Sequence, residues 1–407
     1  MSTPPALRIG VLAPLSRPGW TEAGRHLLAG LELAAEEINA AGGVTAGGGG
    51  GGAGGIAAGE GGAGAGGIAA GEGGAGAGGT VASGIATATG PGGRPLELLV
   101  RDTAADPRRA EAAVDELAAL GAVALAGEYH SVVARAVAAR AEALGLPYLC
   151  SSAVIDALTD APAERVARLA LPQSHGWRVY AEFLLAAGHT RLAVATEPSA
   201  YWAAGTRILR ERLAPRGGTV TELDARALEP AALADALAAD GATALLLLTG
   251  FPDPAVELVR AVRRDPRLAG VLIGAPAGQP EFAEWAALLG DEAGGVPFLR
   301  YLPARPTAPG ARVEAALRDR LGAAPSFVAF EGYDTVTVLA EALRTHGTDR
   351  AALAEGWPAV AAAGTRGEIR FTRPSPSAPV WQWTGAPVQV ADRDPADPTR
   401  FRTLLAR

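Results

Sequence analysis

The residues of this chain best placed to do chemistry sit at one junction, AlaGlyGluTyrHisSer at 126–131, where a short apolar run stops and a helical pattern begins. The first N–H groups of a helix lack partners within it and carry the positive end of its dipole, so such a junction can receive a carboxylate. Ser131 adds a hydroxyl there and is the leading candidate for a ligand contact. A plain helix N-cap would place a serine at the same point. His130 and Ser131 do not form a base and nucleophile by adjacency alone, since neighbours around a turn point apart and no orienting acid is identifiable. His26, His130, His175, His189 and His346 show neither HxxxH spacing nor a cysteine partner, which argues against a metal site. Gly-x-Ser-x-Gly does not occur. The chemistry on offer is binding, and neither an enzyme nor a cofactor is expected.

Composition narrows the field further. Lysine is absent, so all 36 basic residues are arginine, and both a phosphate-binding Walker A loop and Schiff-base catalysis are excluded. Cys150 is the single cysteine, which rules out an intrachain disulfide, and its place just inside a strand end reads as a small core residue. A net charge of −7 gives no general attraction to nucleic acid. No apolar run is long enough to span a bilayer. Strand one follows Met1 within a few residues and no charged or apolar leader precedes it, so the chain as written is expected in the cytoplasm. A leader upstream of this start would make it extracytoplasmic or cell-surface.

The elements that must position Ser131 follow a regular rhythm. LeuArgIleGlyValLeuAlaProLeuSer at 7–16 reads as a strand buried on both faces. Leu27, Leu28, Leu31, Ala34, Ala35 and Ile38 then recur at helical spacing, with Glu32, Glu36 and Glu37 on the wet side and Gly42 and Gly43 as a stop. From Arg94 the pattern predicts strand 95–101, helix 107–120, strand 122–126, helix 132–144 and strand 147–151. A second series places strands near 191–196, 219–223, 243–249 and 270–274, with helices between them. Such alternation predicts parallel sheets covered by helices on both faces, and 407 residues suffice for two such units. Helices are then expected at 309–321, 326–346 and 349–363, with late strands at 367–371 and 379–384 and a tail from Asp392 that has no core role. Between 46 and 90 the chain collapses to glycine and alanine, with the unit at 54–65 repeated at 66–77. That tract buries too little apolar surface to offset its ordering entropy and reads as a disordered insertion.

This opening strand, the helix after it, the junction at 131 and the two βα series resemble the leucine-binding type, or type I, of periplasmic solute-binding proteins. The resemblance covers nearly the whole chain. It implies an α/β fold of two doubly wound parallel-sheet lobes joined by a three-stranded hinge, with crossings near 171–174, 299–303 and 371–373. Lobe one would then hold residues 1–172 and 302–371, and lobe two 173–301 and 372–407.

The same resemblance assigns a site. Ser131 matches the family's ligand-binding serine. LeuCysSerSerAlaValIleAsp at 149–156 matches the segment that grips a ligand's carboxylate and ammonium, placing Ser152, Ala153 and Val154 there, with Val154 where relatives carry a hydroxyl. Tyr201 and Phe251 match lobe-two aromatics that close over the ligand, and Trp20 stands near a lobe-one aromatic. Each of the three would also serve as an ordinary core or rim residue. TyrAsp at 333–334 implies packing and hinge support. Where amino-acid binders place a glutamate for the ammonium, this chain reads GlyAlaProAlaGlyGln at 274–279, so either Asp253 or Glu281 substitutes or the ligand lacks an α-amino group. The function implied is capture of a small polar ligand, an amino acid, amide or related carboxylate, for an ABC permease. The alternative is a cytoplasmic sensor of the same fold acting on a regulatory protein.

Overall fold

The computed structural model describes residues 4–45, 93–227, 229–373 and 378–407; the glycine and alanine tract lies outside the described residues. The chain opens with β1 (Leu7–Ala13), α1 (Thr21–Ala40), β2 (Leu96–Asp102), α2 (Pro107–Ala119), β3 (Ala124–Gly127), α3 (Ser131–Ala143), β4 (Tyr148–Cys150) and β5 (Val166–Arg168). It continues with α4 (Gln173–Ala186), β6 (Arg191–Thr196), α5 (Ala200–Leu213), β7 (Thr219–Asp224), α6 (Pro230–Asp240), β8 (Ala244–Leu248), α7 (Ala255–Arg264), β9 (Leu272–Gly274), α8 (Ala283–Leu289) and β10 (Phe298–Arg300). Then follow α9 (Ala308–Leu321), α10 (Phe327–His346), α11 (Arg350–Glu355), β11 (Ala361–Gly364), β12 (Gly367–Thr372), β13 (Trp381–Trp383), β14 (Gln389–Asp394) and β15 (Asp397–Ala406).

Three sheets organise these elements. The first lobe holds an eight-stranded sheet in the order β11-β12-β13-β5-β4-β3-β1-β2. Its central strands run parallel, with β1 between β2 and β3. The second lobe holds a parallel four-stranded sheet, β7-β6-β8-β9, and a three-stranded antiparallel sheet, β10-β14-β15. The strands at the sheet centres are fully buried apolar runs, as in LeuLeuLeuLeu of β8, because helices cover both faces.

On lobe one, α1 packs along α10 at a separation that only glycine permits. A methyl group at Gly30 would stand 1.9 Å from the Ala329 carbonyl oxygen, and one at Gly332 would stand 2.2 Å from that of Leu27. Tyr333 and Asp334 tie α10 to its surroundings. The Tyr333 hydroxyl donates to Glu37 on α1 at 2.6 Å, and Asp334 accepts from the Thr365 N–H at 2.6 Å and from Arg366 Nε at 2.9 Å. Burying Asp334 and Arg366 together satisfies charges that neither could carry alone.

Three expectations are corrected here. The helix expected at 349–363 stops at Glu355, because Gly356 and Pro358 interrupt it, and 361–364 instead forms β11 against β12. The strand expected at 379–384 does not belong to lobe two. β13 pairs with β12 and, in parallel, with β5, so it joins lobe one and the chain crosses for the last time after Trp383, not near 371–373. Gln382 fixes this arrangement from within, accepting from Arg168 Nε at 2.8 Å and donating to the Ala170 carbonyl at 2.8 Å. Finally, the tail from Asp392 does have a core role. Arg393 is buried and donates to the carbonyls of Pro280 and Phe282 at 2.6 and 2.9 Å, and Asp392 is buried against Arg402.

Candidate functional site: a cleft between the lobes

The strand ends of the two lobes face one another across a cavity of about 450 Å³. Ligands of open α/β sheets sit outside the carboxyl ends of the strands, and this cavity has that position in both lobes. From lobe one come the loop after β1, with Arg17 and Trp20; the β3–α3 junction, with Tyr129, His130, Ser131, Val132 and Val133; Ser152 and Val154 after β4; and Phe327 at the start of α10. From lobe two come Ser199, Tyr201 and Trp202 at the start of α5, Thr249 to Phe251 after β8, Pro276, Ala277 and Gln279 after β9, and Tyr301 after β10.

The β3–α3 junction is built to leave N–H groups free. Gly127 ends β3 at φ +114 with its Cα against the Leu12 carbonyl, where a methyl group would stand 2.0 Å from that oxygen. Glu128 is fully buried and ties off the next two amides, accepting from Tyr129 N and His130 N at 2.9 and 3.0 Å, while Thr103 donates to its other oxygen at 2.9 Å. Burial pushes its carboxyl up to about 7, against the pull of those three hydrogen bonds. The helix itself starts uncapped. His130, its N-cap residue, makes no side-chain bond to it, and the first amide with an acceptor is that of Ala134. The N–H groups of Ser131, Val132 and Val133 have no partner among the described residues.

Two side chains complete this seat. The Ser131 hydroxyl accepts from Ile155 N at 3.3 Å, which leaves its own proton to donate into the cavity. His130 is held neutral, burial lowering its pKa to about 4, so Nε2 accepts from Trp20 N at 3.1 Å and fixes the β1–α1 loop to the junction. Beneath Ser152 lies Glu331, whose carboxyl burial raises to about 7 although Arg366 donates to it at 3.1 Å.

Aromatic rings form the walls. Trp20 lies 5.8 Å from Phe251 and 4.6 Å from Phe282 on the opposite lobe, and meets Tyr129 edge-on at 5.8 Å. Tyr201 packs against Trp202 and Trp177. Polar side chains, Arg17, Ser199, Thr249 and Gln279 among them, stand between these rings, a combination that suits a small guest with an apolar body and a polar end.

Of the residues expected from the sequence, Ser131, Ser152, Val154, Tyr201, Phe251 and Trp20 are brought together around this cavity. Ala153 is not. It is fully buried in the core behind the segment, with its N–H given to the Glu128 carbonyl at 3.1 Å. Neither proposed substitute for the missing acid reaches the cavity. Asp253 is exposed outside the lining, and Glu281 is buried and already engaged by Arg300 at 2.8 Å and by Phe327 N at 3.0 Å. Sequence reasoning missed Tyr301, Trp202 and Phe327, and it marked the segment of Gln279 only as the place of an absent glutamate. Tyr301 and Phe327 each stand immediately at an element end, which was their only signal.

Two lobes closing on a ligand-sized cleft at their strand ends define a solute-binding protein. The periplasmic binding protein family matches residues 6–379, and the chain belongs to that family. The fold is shared with a leucine-binding protein, LivK, from Thermotoga maritima, at 18% identity, TM-score 0.73 and 98% coverage of both chains. It is shared also with a solute-binding protein of an ABC transporter from R. palustris in complex with benzoate, at 17% identity and TM-score 0.72, covering 98% of this chain and 96% of that one. A third, LivJ from Streptococcus pneumoniae in complex with isoleucine, gives 16% identity and TM-score 0.71, covering 99% of each chain. No match was found among curated proteins.

Proposed function

We propose that this protein is the solute-binding component of an ABC-type importer, and that its ligand is a small aromatic carboxylate without an α-amino group. The uncapped start of α3 carries this reading. Its unpartnered N–H groups and the Ser131 hydroxyl converge at one end of the cavity, where a carboxylate would supply the missing acceptors. Aromatic side chains from both lobes supply much of the apolar lining. The lining offers an ammonium only Glu284, which Arg17 faces at 3.5 Å. An ammonium buried elsewhere in the cleft would have no counter-charge, a cost an aromatic acid avoids.

In this mechanism lobe one takes the carboxylate first, on α3 and beside Ser152. Hinge bending then brings Tyr201 and Phe251 down on the ring. Only contacts made in the closed state shift the equilibrium, so the lobe-two aromatics determine what a permease senses. Related folds have been solved with benzoate, 4-hydroxybenzoate, leucine and isoleucine, so both ligand types fit the architecture.

A thermal-shift panel decides between them. Benzoate or 4-hydroxybenzoate at a hundred times its dissociation constant should stabilise the protein by about 2.7 kcal/mol, with leucine and isoleucine inert. A response to the amino acids alone would overturn the ligand class.

A further inference from the structure

At one rim of the ligand cleft, three residues of lobe one meet three of lobe two. Trp20 packs against Phe282 with the rings tilted at 46°, Arg17 faces Glu284, and between them the Glu22 carboxylate accepts from two lobe-two amides, Ala283 N at 3.1 Å and Glu284 N at 3.3 Å. Glu22 is only 9% exposed, although it belongs to the first turn of a surface helix. α8 has no side-chain cap of its own, so the acceptor for its first amides comes from the other lobe.

The recess that receives Glu22 is electropositive for a second reason. Arg393 lies behind it, donating to the carbonyls of Pro280, Glu281, Phe282 and Pro398, with no carboxylate paired to it among the described residues. Glu22 and Glu281 are the carboxylates within electrostatic reach of that guanidinium, and Arg300 is the nearby like charge. Glu281 is itself held by Arg300. Among the described residues, Glu22 is thus the one acid that lobe one brings to a lobe-two cation and a pair of lobe-two amides.

We propose that Glu22 is an inter-lobe latch: its carboxylate engages lobe two only when the cleft closes, and so sets the closed population and the ligand's residence time without touching the ligand. This rests on the hinge-closing reading given above, but not on the identity of the ligand. In the open protein both sides of the latch are hydrated, and closure exchanges water for two charge-assisted hydrogen bonds beside a buried cation. The Arg17 and Glu284 pair at the same corner is solvent-exposed and contributes little.

The test needs no ligand in its first arm. Cys150 is buried, so Glu111→Cys on α2 and Glu211→Cys on α5, both exposed, accept spin labels selectively on the full chain. Distance distributions between the labels should show a closed population in the unliganded protein. Glu22→Gln should lower its closed-to-open ratio roughly tenfold, the change expected for one lost charge-assisted hydrogen bond, and Glu22→Ala further. Glu22→Gln keeps the side chain's size, so it carries the test if Glu22→Ala fails to fold. Identical distributions in parent and variants would overturn the latch, whatever the ligand proves to be. In the second arm, benzoate should dissociate faster from Glu22→Gln, with its association rate little changed. Benzoate failing to bind the parent protein while the distance shift persists would count against the ligand class and leave the latch supported.

Discussion

Helices α2 and α3 leave neighbouring regions of the same sheet through short junctions, yet their first turns are finished in opposite ways. α2 closes itself: Asp106 accepts from Arg108 N and Arg109 N at 2.8 and 3.3 Å, and Pro107 removes a third donor. α3 has no such device, and its first three amides are left unsatisfied beside a cavity. A helix end without a cap forgoes about 1 kcal/mol, so the difference is informative. The helix that faces solvent is capped for stability, and the one that faces the cleft keeps its donors for a guest.

The largest effect should come from converting the second helix start into a closed one. Ser131→Pro deletes an N–H and the hydroxyl together, and His130 at φ −76 and ψ 121 already has the extended backbone a following proline requires. The ligand's carboxylate would lose two charge-assisted hydrogen bonds, so calorimetry should show binding weakened by about 4 kcal/mol. Ser131→Ala, which keeps the amide, should cost roughly 1 to 3 kcal/mol. Equal affinity for Ser131→Pro and the parent would remove α3 from the site.

Glu128 sharpens the contrast from the other side, because it consumes the two amides before α3 and so limits the seat to the three that follow. Its folded pKa of about 7 lies above the ordinary value of 4.5. The folded state therefore holds this proton more tightly than the unfolded one. Its contribution to stability is full below about pH 4.5 and is lost as pH rises through about 7. Glu128→Gln, neutral at every pH, should remove a decline of about 3 kcal/mol across that window in denaturant titrations. Parallel pH profiles for parent and variant would mean that the three hydrogen bonds outweigh burial.

Much of this was legible beforehand, and the reasons differ by region. Strands buried on both faces and helices with one apolar face announce themselves by periodicity, which is why the lobes and the Ser131 junction could be placed from residue types alone. The sheet membership of β13 could not be. It depends on Gln382 reaching Arg168, a contact more than two hundred residues apart in sequence that leaves no local pattern. Ala153 was misplaced for a related reason: a small residue beside Ser152 suits a ligand's backbone contact and a core position equally well, and only the direction of the turn separates them. Glu22 gave no signal in the sequence, since its partners are backbone amides of the other lobe.

The smallest effect should appear at the capped helix and is the control that gives the others meaning. Asp106→Ala opens the start of α2 as the start of α3 is open, and should lower stability by about 1 kcal/mol. Asp106 lies outside the cavity lining, so the affinity for benzoate should not change. The two helix starts then separate along two measurements: at α2 a lost cap lowers the melting temperature and leaves binding alone, whereas at α3 a lost donor weakens binding far more than it lowers the melting temperature. A loss of affinity in Asp106→Ala comparable to that in Ser131→Ala would mean that the two junctions act through general lobe stability, and the free amides of α3 would lose their special standing.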